Sequence, residues 1–154
     1  MNNELEKEIN YEISEIDKLL DEGKPLLDLL KIKENPDFIE KIAGGSFLHS
    51  FYNGIEKSVI LIYKKINEKI PNDLDWHKNL FEKTFMPTKN YPALFCNEYK
   101  TPLRNYLKFR HFFRHTYGHK IDPKKLKPLI IELEPLWEKI KNDLNNFVKS
   151  LEIS

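Results

Sequence analysis

Apolar residues recur at steps of three and four along most of the chain. Leu5, Ile9, Ile13, Ile16 and Leu20 form the first such stripe, and Gly23-Lys24-Pro25 interrupts it. Leu26 to Ile32 predicts a short second helix. Asn35 followed by Pro36 reads as a cap and first helical residue, opening a long helix that runs to Lys69. Its stripe is Phe47, Phe51, Ile55, Val59, Ile62, Ile66 and Ile70, with Gly44-Gly45 marking a bend or a close approach by another backbone. Pro71-Asn72-Asp73 predicts a turn, with Asp73 or Asp75 to cap a helix around Trp76 to Phe85. Pro87 and Pro92 then predict a loop. Thr101-Pro102 opens the next helix, and Gly118 is its expected C′ residue. The last helix carries Leu126, Ile130, Leu133, Trp137, Ile140, Leu144, Phe147 and Leu151. That 3.5-residue period is a bundle seam, open to a twofold partner. Pro128 and Pro135 confine its regular part to the stretch after Lys127 and kink it near Ile131. No alternating strand pattern of useful length competes. The expectation is an all-α antiparallel bundle of about four main helices plus short ones, one domain over residues 1–154.

Composition narrows the class. The longest apolar run, Val59 to Tyr63, is far too short to span a bilayer, and the first residues lack the regions of a signal peptide. A single cysteine among 154 residues suits a reducing compartment, so a cytoplasmic chain with no membrane partner is expected. The formal net charge of +1 conceals a division. Residues 1–22 hold eight acids and two lysines, whereas residues 100–127 hold nine bases, one acid (Asp122) and three histidines. The three arginines, Arg104, Arg110 and Arg114, all fall in that basic segment. A planar fork used there, in a chain otherwise rich in lysine, fits bidentate contact with phosphate, or else a solvated basic helix face.

Candidate chemistry concentrates in Lys108 to His119. On a helix, Leu103, Tyr106, Leu107, Phe113 and Tyr117 lie within about 60° of Arg110, which places the guanidinium in the apolar stripe. It then needs a carboxylate partner, such as Glu56 beside the stripe of the long helix, or a cleft that holds an anion. His111, His115 and His119 follow at steps of four. Such spacing can hold zinc, but Gly118 should end the helix before His119 and no cysteine is near, so no metal or other cofactor is expected. Arginine and histidine in a basic cleft are also what metal-independent RNA cleavage needs. The histidine moves a proton near neutral pH, the arginine stabilises charge on phosphorus, and the ribose 2′-hydroxyl is the nucleophile. Phe109, Phe112, Phe113 and Tyr117 can stack bases or build core. No GxGxxG, P-loop or H-E-x-x-H is present, and Cys96 has no histidine in local reach.

Arg110, four residues, His115, one residue, Tyr117 resembles the R-x(4)-H-x-Y signature of HepT-like toxins in the HEPN superfamily. The surrounding Phe109 to Gly118 followed by Ile121-Asp122, the stretch Phe51-Tyr52-Asn53-Gly54-Ile55-Glu56, and Trp76-His77 before Leu80 are similar too, so the resemblance covers roughly residues 40–130. It implies a helical HEPN fold and a homodimer whose paired motifs line one cleft. It implies metal-independent RNase activity with Arg110 and His115 catalytic; in the basic segment, Arg104, Lys108, His111 and Arg114 are the expected RNA contacts. It also implies an MNT-type nucleotidyltransferase antitoxin that adds AMP to Tyr117. On one straight helix Arg110 and His115 point about 140° apart, so the helix must distort or a second protomer must complete the site. Arg110 and Tyr117 would be only about 20° apart, which puts AMP beside the guanidinium. The competing class is a non-catalytic helical adaptor that presents substrate to a nucleotidyltransferase.

Overall fold

The computed structural model describes residues 3–153. Six α-helices follow in order: α1 (Asn3–Glu22), α2 (Lys24–Ile32), α3 (Phe38–Lys65), α4 (Trp76–Thr84), α5 (Lys100–His115) and α6 (Pro123–Ile153). Short 3-10 turns, Asn97–Tyr99 and Gly118–Lys120, flank α5. No strand occurs among the described residues, and the all-α bundle of four long and two short helices agrees with the periodicity. No helix is long and apolar enough to cross a membrane.

Helix α3 is central, packed against α1, α2, α5 and α6. Its buried face is the predicted one through Phe47, Phe51, Ile55, Val59 and Ile62. Its start differs from expectation: the cap is Asp37, not Asn35. Asp37 accepts from the backbone of Glu40, and Glu40 accepts from the backbone of Asp37, a reciprocal box that satisfies two N-terminal donors. The helix also ends early, at Lys65, because Asn67 takes φ 59° and turns the chain, its neighbour Glu68 donating back to the Tyr63 carbonyl. Asparagine tolerates that left-handed conformation better than most residues. What approaches Gly45 is a side chain and not the expected backbone: a Cβ there would meet the Phe113 ring of α5 at 2.5 Å.

Two further boundaries shift. Helix α5 begins at Lys100, carried straight on from the 3-10 turn, so Thr101-Pro102 lies inside its first turn, where proline costs little. Helix α6 begins at Pro123, before the lysines, because the Asp122 carboxylate accepts from Lys124 N and its carbonyl from Lys125 and Leu126. It runs through Pro128 and Pro135 as one helix. Every residue of its seam is buried against this chain's own helices, so that stripe is not available to a second copy.

The α5 helix is held where its motif works by long-range ties. Tyr106 Oη donates to the Leu129 carbonyl at 2.6 Å, docking α5 on α6. Asp143 of α6 accepts from Tyr99 Oη at 2.6 Å and from Cys96 N at 2.8 Å, which fixes the loop that leads into α5.

Candidate functional site

Arg110 sits where helical periodicity puts it, among Leu103, Tyr106 and Leu107, and is 7 % exposed. It makes no ion pair within 4 Å among the described residues. Its Nε donates to Asn53 Oδ1 of α3 at 2.9 Å, and neither terminal nitrogen bonds to protein. Glu56, the carboxylate that sequence offered as its partner, bonds elsewhere: His77 Nδ1 lies 2.7 Å from Glu56 Oε2. Burial pulls the Arg110 guanidinium below its ordinary value, the Glu56 charge pushes it back up, and Arg114 again lowers it. The result is an oriented cation whose outer fork is open, the arrangement that receives an anion.

Asn53 links this cation to a further residue. Because its Oδ1 faces Arg110, its Nδ2 faces His49 Nδ1 at 3.3 Å, one helical turn away. Nδ1 must then carry the lone pair, and the proton sits on Nε2, which is buried with no partner. Burial, then the charges of Arg110 and Arg114, hold the His49 pKa below its usual 6.5. A histidine whose folded pKa is depressed binds fewer protons folded than unfolded. Its share of stability is whole above about pH 6.5 and is lost as pH falls through the folded value. Thermal melts of wild type and His49→Gln between pH 7.5 and 5 should therefore diverge, wild type losing more on acidification. Parallel curves would contradict the depressed value.

Two cavities meet at Arg110 and His77. The larger, about 840 Å³, is walled on one side by Glu12 and Glu15 of α1 and on the other by Arg110 and Arg114. The acidic arm therefore folds over part of the basic segment. The smaller, about 510 Å³, is lined by Lys78, Arg104, Lys108 and Arg110 against Asp75 and Glu82, and His111 joins them. Its surplus of cations makes it the better host for a phosphate. Arg104 is partly engaged there, 3.2 Å from Glu82 and over the Phe81 ring, while Lys100 also reaches Glu82 and holds its carboxyl below the usual range.

The remaining motif residues stand apart. His115, the last residue of α5, is exposed and lines neither cavity; its ring lies 4.6 Å from that of His111. Tyr117 is not on the helix at all. Thr116 is extended, and Tyr117 leads into the 3-10 turn, 73 % exposed, stacking on His119 at 5.8 Å. The 20° relation between Arg110 and Tyr117 therefore does not hold. Gly118 serves a different purpose from a C′ cap, for its φ is not positive. A Cβ there would meet the end of the Ile42 side chain of α3, so glycine lets this turn close on the helix without moving Ile42. No group of three or more potential metal ligands occurs among the described residues.

Sequence singled out Arg110 and offered Glu56 as its partner, but missed Asn53, which holds it. Asn53 and Glu56, three residues apart on α3, share a face with His49, and that polar spacing within an apolar helix was the available signal. The fold thus sets a buried arginine beside a basic cavity in an all-α bundle. Residues 43–151 match the sequence model of HepT-like proteins, and the chain belongs to that family. No curated protein and no solved structure matches the chain.

Proposed function

We propose that the chain is the toxin of a HEPN–nucleotidyltransferase pair, a metal-independent endoribonuclease of the cytoplasm. The observation that carries this reading is the state of Arg110, buried, oriented through Nε by Asn53 and without a carboxylate in ion-pairing range. Arg110 lines both cavities, and in the smaller, cation-rich one Lys108 and His111 can add contacts to RNA phosphates. Arg110 stabilises charge on the phosphate in the transition state. His115 transfers a proton, and because it lies outside Arg110's cavities it does so across a homodimer, onto the partner protomer's site. The α6 seam is buried, and exposed Phe112 near the end of α5 is one of the apolar side chains open to that association. The test is RNA cleavage in EDTA by wild type and His115→Ala. Loss of activity in the variant supports the assignment. Equal activity removes His115 from the reaction. The separation of His115 from Arg110 equally favours the adaptor reading, to which inactivity of wild type would point.

Neutralisation by the partner falls on Tyr117. Its exposure at the tip of the turn gives an enzyme access to the phenolic oxygen, two residues from His115. An adenylyl group there adds a charged phosphate and bulk at the end of α5. Tyr117→Phe keeps the ring and removes the acceptor oxygen. It should stay toxic in cells and escape the nucleotidyltransferase. Full neutralisation of Tyr117→Phe, with no AMP mass gain on wild type, would contradict the switch.

A further inference from the structure

The Glu56–His77 pair is unclaimed by the motif. Glu56 is 7 % exposed on α3, and its Oε2 holds His77 Nδ1 at 2.7 Å from the first turn of α4. A carboxylate only accepts, so Nδ1 is the donor to Glu56, and in the neutral ring Nε2 carries the lone pair. Trp76 packs against the imidazole with ring centroids 3.5 Å apart, so the ring is fixed by a hydrogen bond and a stacked neighbour. Nε2 has no protein partner and is not sealed off, since the buried side-chain atom without a partner, among the described residues, is His49 Nε2. His77 lines both cavities that Arg110 lines. A histidine oriented by a carboxylate, lining the same cavities as a guanidinium, supplies a base and a phosphate ligand for in-line attack on phosphorus from one protomer.

We infer that His77, oriented by Glu56, is a catalytic base of this site, taking the 2′-hydroxyl proton of an RNA strand whose phosphate sits on Arg110. This rests on the nuclease reading above. In the step, the ribose 2′-oxygen forms a bond to phosphorus as its proton passes to His77 Nε2. The bond from phosphorus to the 5′-oxygen breaks, and that oxygen leaves with a proton from His115 or water. The products are a 2′,3′-cyclic phosphate and a 5′-hydroxyl. His77 then returns its proton to solvent, while Glu56, 2.7 Å from Nδ1, holds the ring in place. The acidic side of the larger cavity repels phosphate, so the strand enters from the smaller one, where the cations named above outnumber the acids.

A purely structural clamp between α3 and α4 would look the same at rest, and two substitutions separate the roles. His77→Gln keeps a donor for Glu56 but cannot take up a proton. Glu56→Gln keeps an acceptor for Nδ1 but removes the charge beside the imidazolium. Single-turnover cleavage of a short RNA in EDTA is measured across pH for both, with wild type and Arg110→Ala alongside, together with RNA affinity and melting temperature. His77→Gln should cleave about 10²-fold more slowly or worse, with RNA affinity and melting temperature near wild type. Glu56→Gln should also cleave about 10-fold more slowly, with RNA affinity and melting temperature near wild type, because the carboxylate that orients the imidazole is lost. Wild-type rates in either variant, or a loss that tracks weakened RNA binding or folding, would overturn the assignment while leaving the nuclease reading intact. A wild type that cleaves no RNA would remove both together.

Discussion

Arg110→Ala should lower RNA cleavage by about 10³-fold, the scale of losing a preorganised group that stabilises developing negative charge. The fold should survive. Arg110 has no ion pair to break, and the bond lost is that to Asn53, whose unpaired oxygen costs roughly 1 kcal/mol. Arg110→Lys should fail to restore activity. An ammonium lacks the Nε that Asn53 grips and cannot offer two parallel donors to a phosphate. Cleavage rates of the three proteins, with melting curves to confirm folding, check this. A lysine variant at wild-type rate would reduce Arg110 to a simple positive charge.

The largest expected loss of stability is at Trp137. It is 1 % exposed, meets Phe51 of α3 edge-on with ring centroids 6.0 Å apart, and donates from Nε1 to Asp17 Oδ1 of α1 at 2.7 Å. One side chain thus joins three helices. Trp137→Ala opens a cavity and strips Asp17 of a donor, at a cost of about 3–5 kcal/mol. For a domain of this size that is a fall of roughly 10 °C in melting temperature. Lys141 also reaches Asp17 Oδ1 at 3.0 Å, so the carboxylate keeps a partner and the loss stays within that range. A melting temperature lowered by less than about 3 °C would mean that α1 is not docked as described.

What sequence made legible was local. The stripe of α1 and the seam of α6 each repeat within one helix, so spacing alone identified which residues are buried. The same rule put Arg110 in an apolar stripe, and Arg110 is buried. The starts of helices were less legible because competing signals sat side by side. Asn35-Pro36 and Asp37 with Glu40 both read as caps, and the reciprocal side-chain bonds of the second pair prevailed. Gly118 read as a helix terminator, yet its role is steric and depends on Ile42, 76 positions earlier in the chain. The candidate site was least legible where it is non-local. Asn53 reaches Arg110 across 57 residues and Glu56 reaches His77 across 21, and no spacing rule connects helices whose packing is unknown. The α6 seam shows the reverse error: its period was read correctly, but period does not distinguish an internal partner from a second copy.

The central claim is that a guanidinium positioned by Asn53 serves metal-independent cleavage of RNA. The most direct measurement is incubation of purified wild-type protein with an end-labelled RNA in EDTA, with the product termini then identified. Fragments ending in 2′,3′-cyclic phosphate and beginning with 5′-hydroxyl, absent with Arg110→Ala, are the predicted result. Intact RNA with wild-type protein, or fragments that form equally with Arg110→Ala, would contradict it.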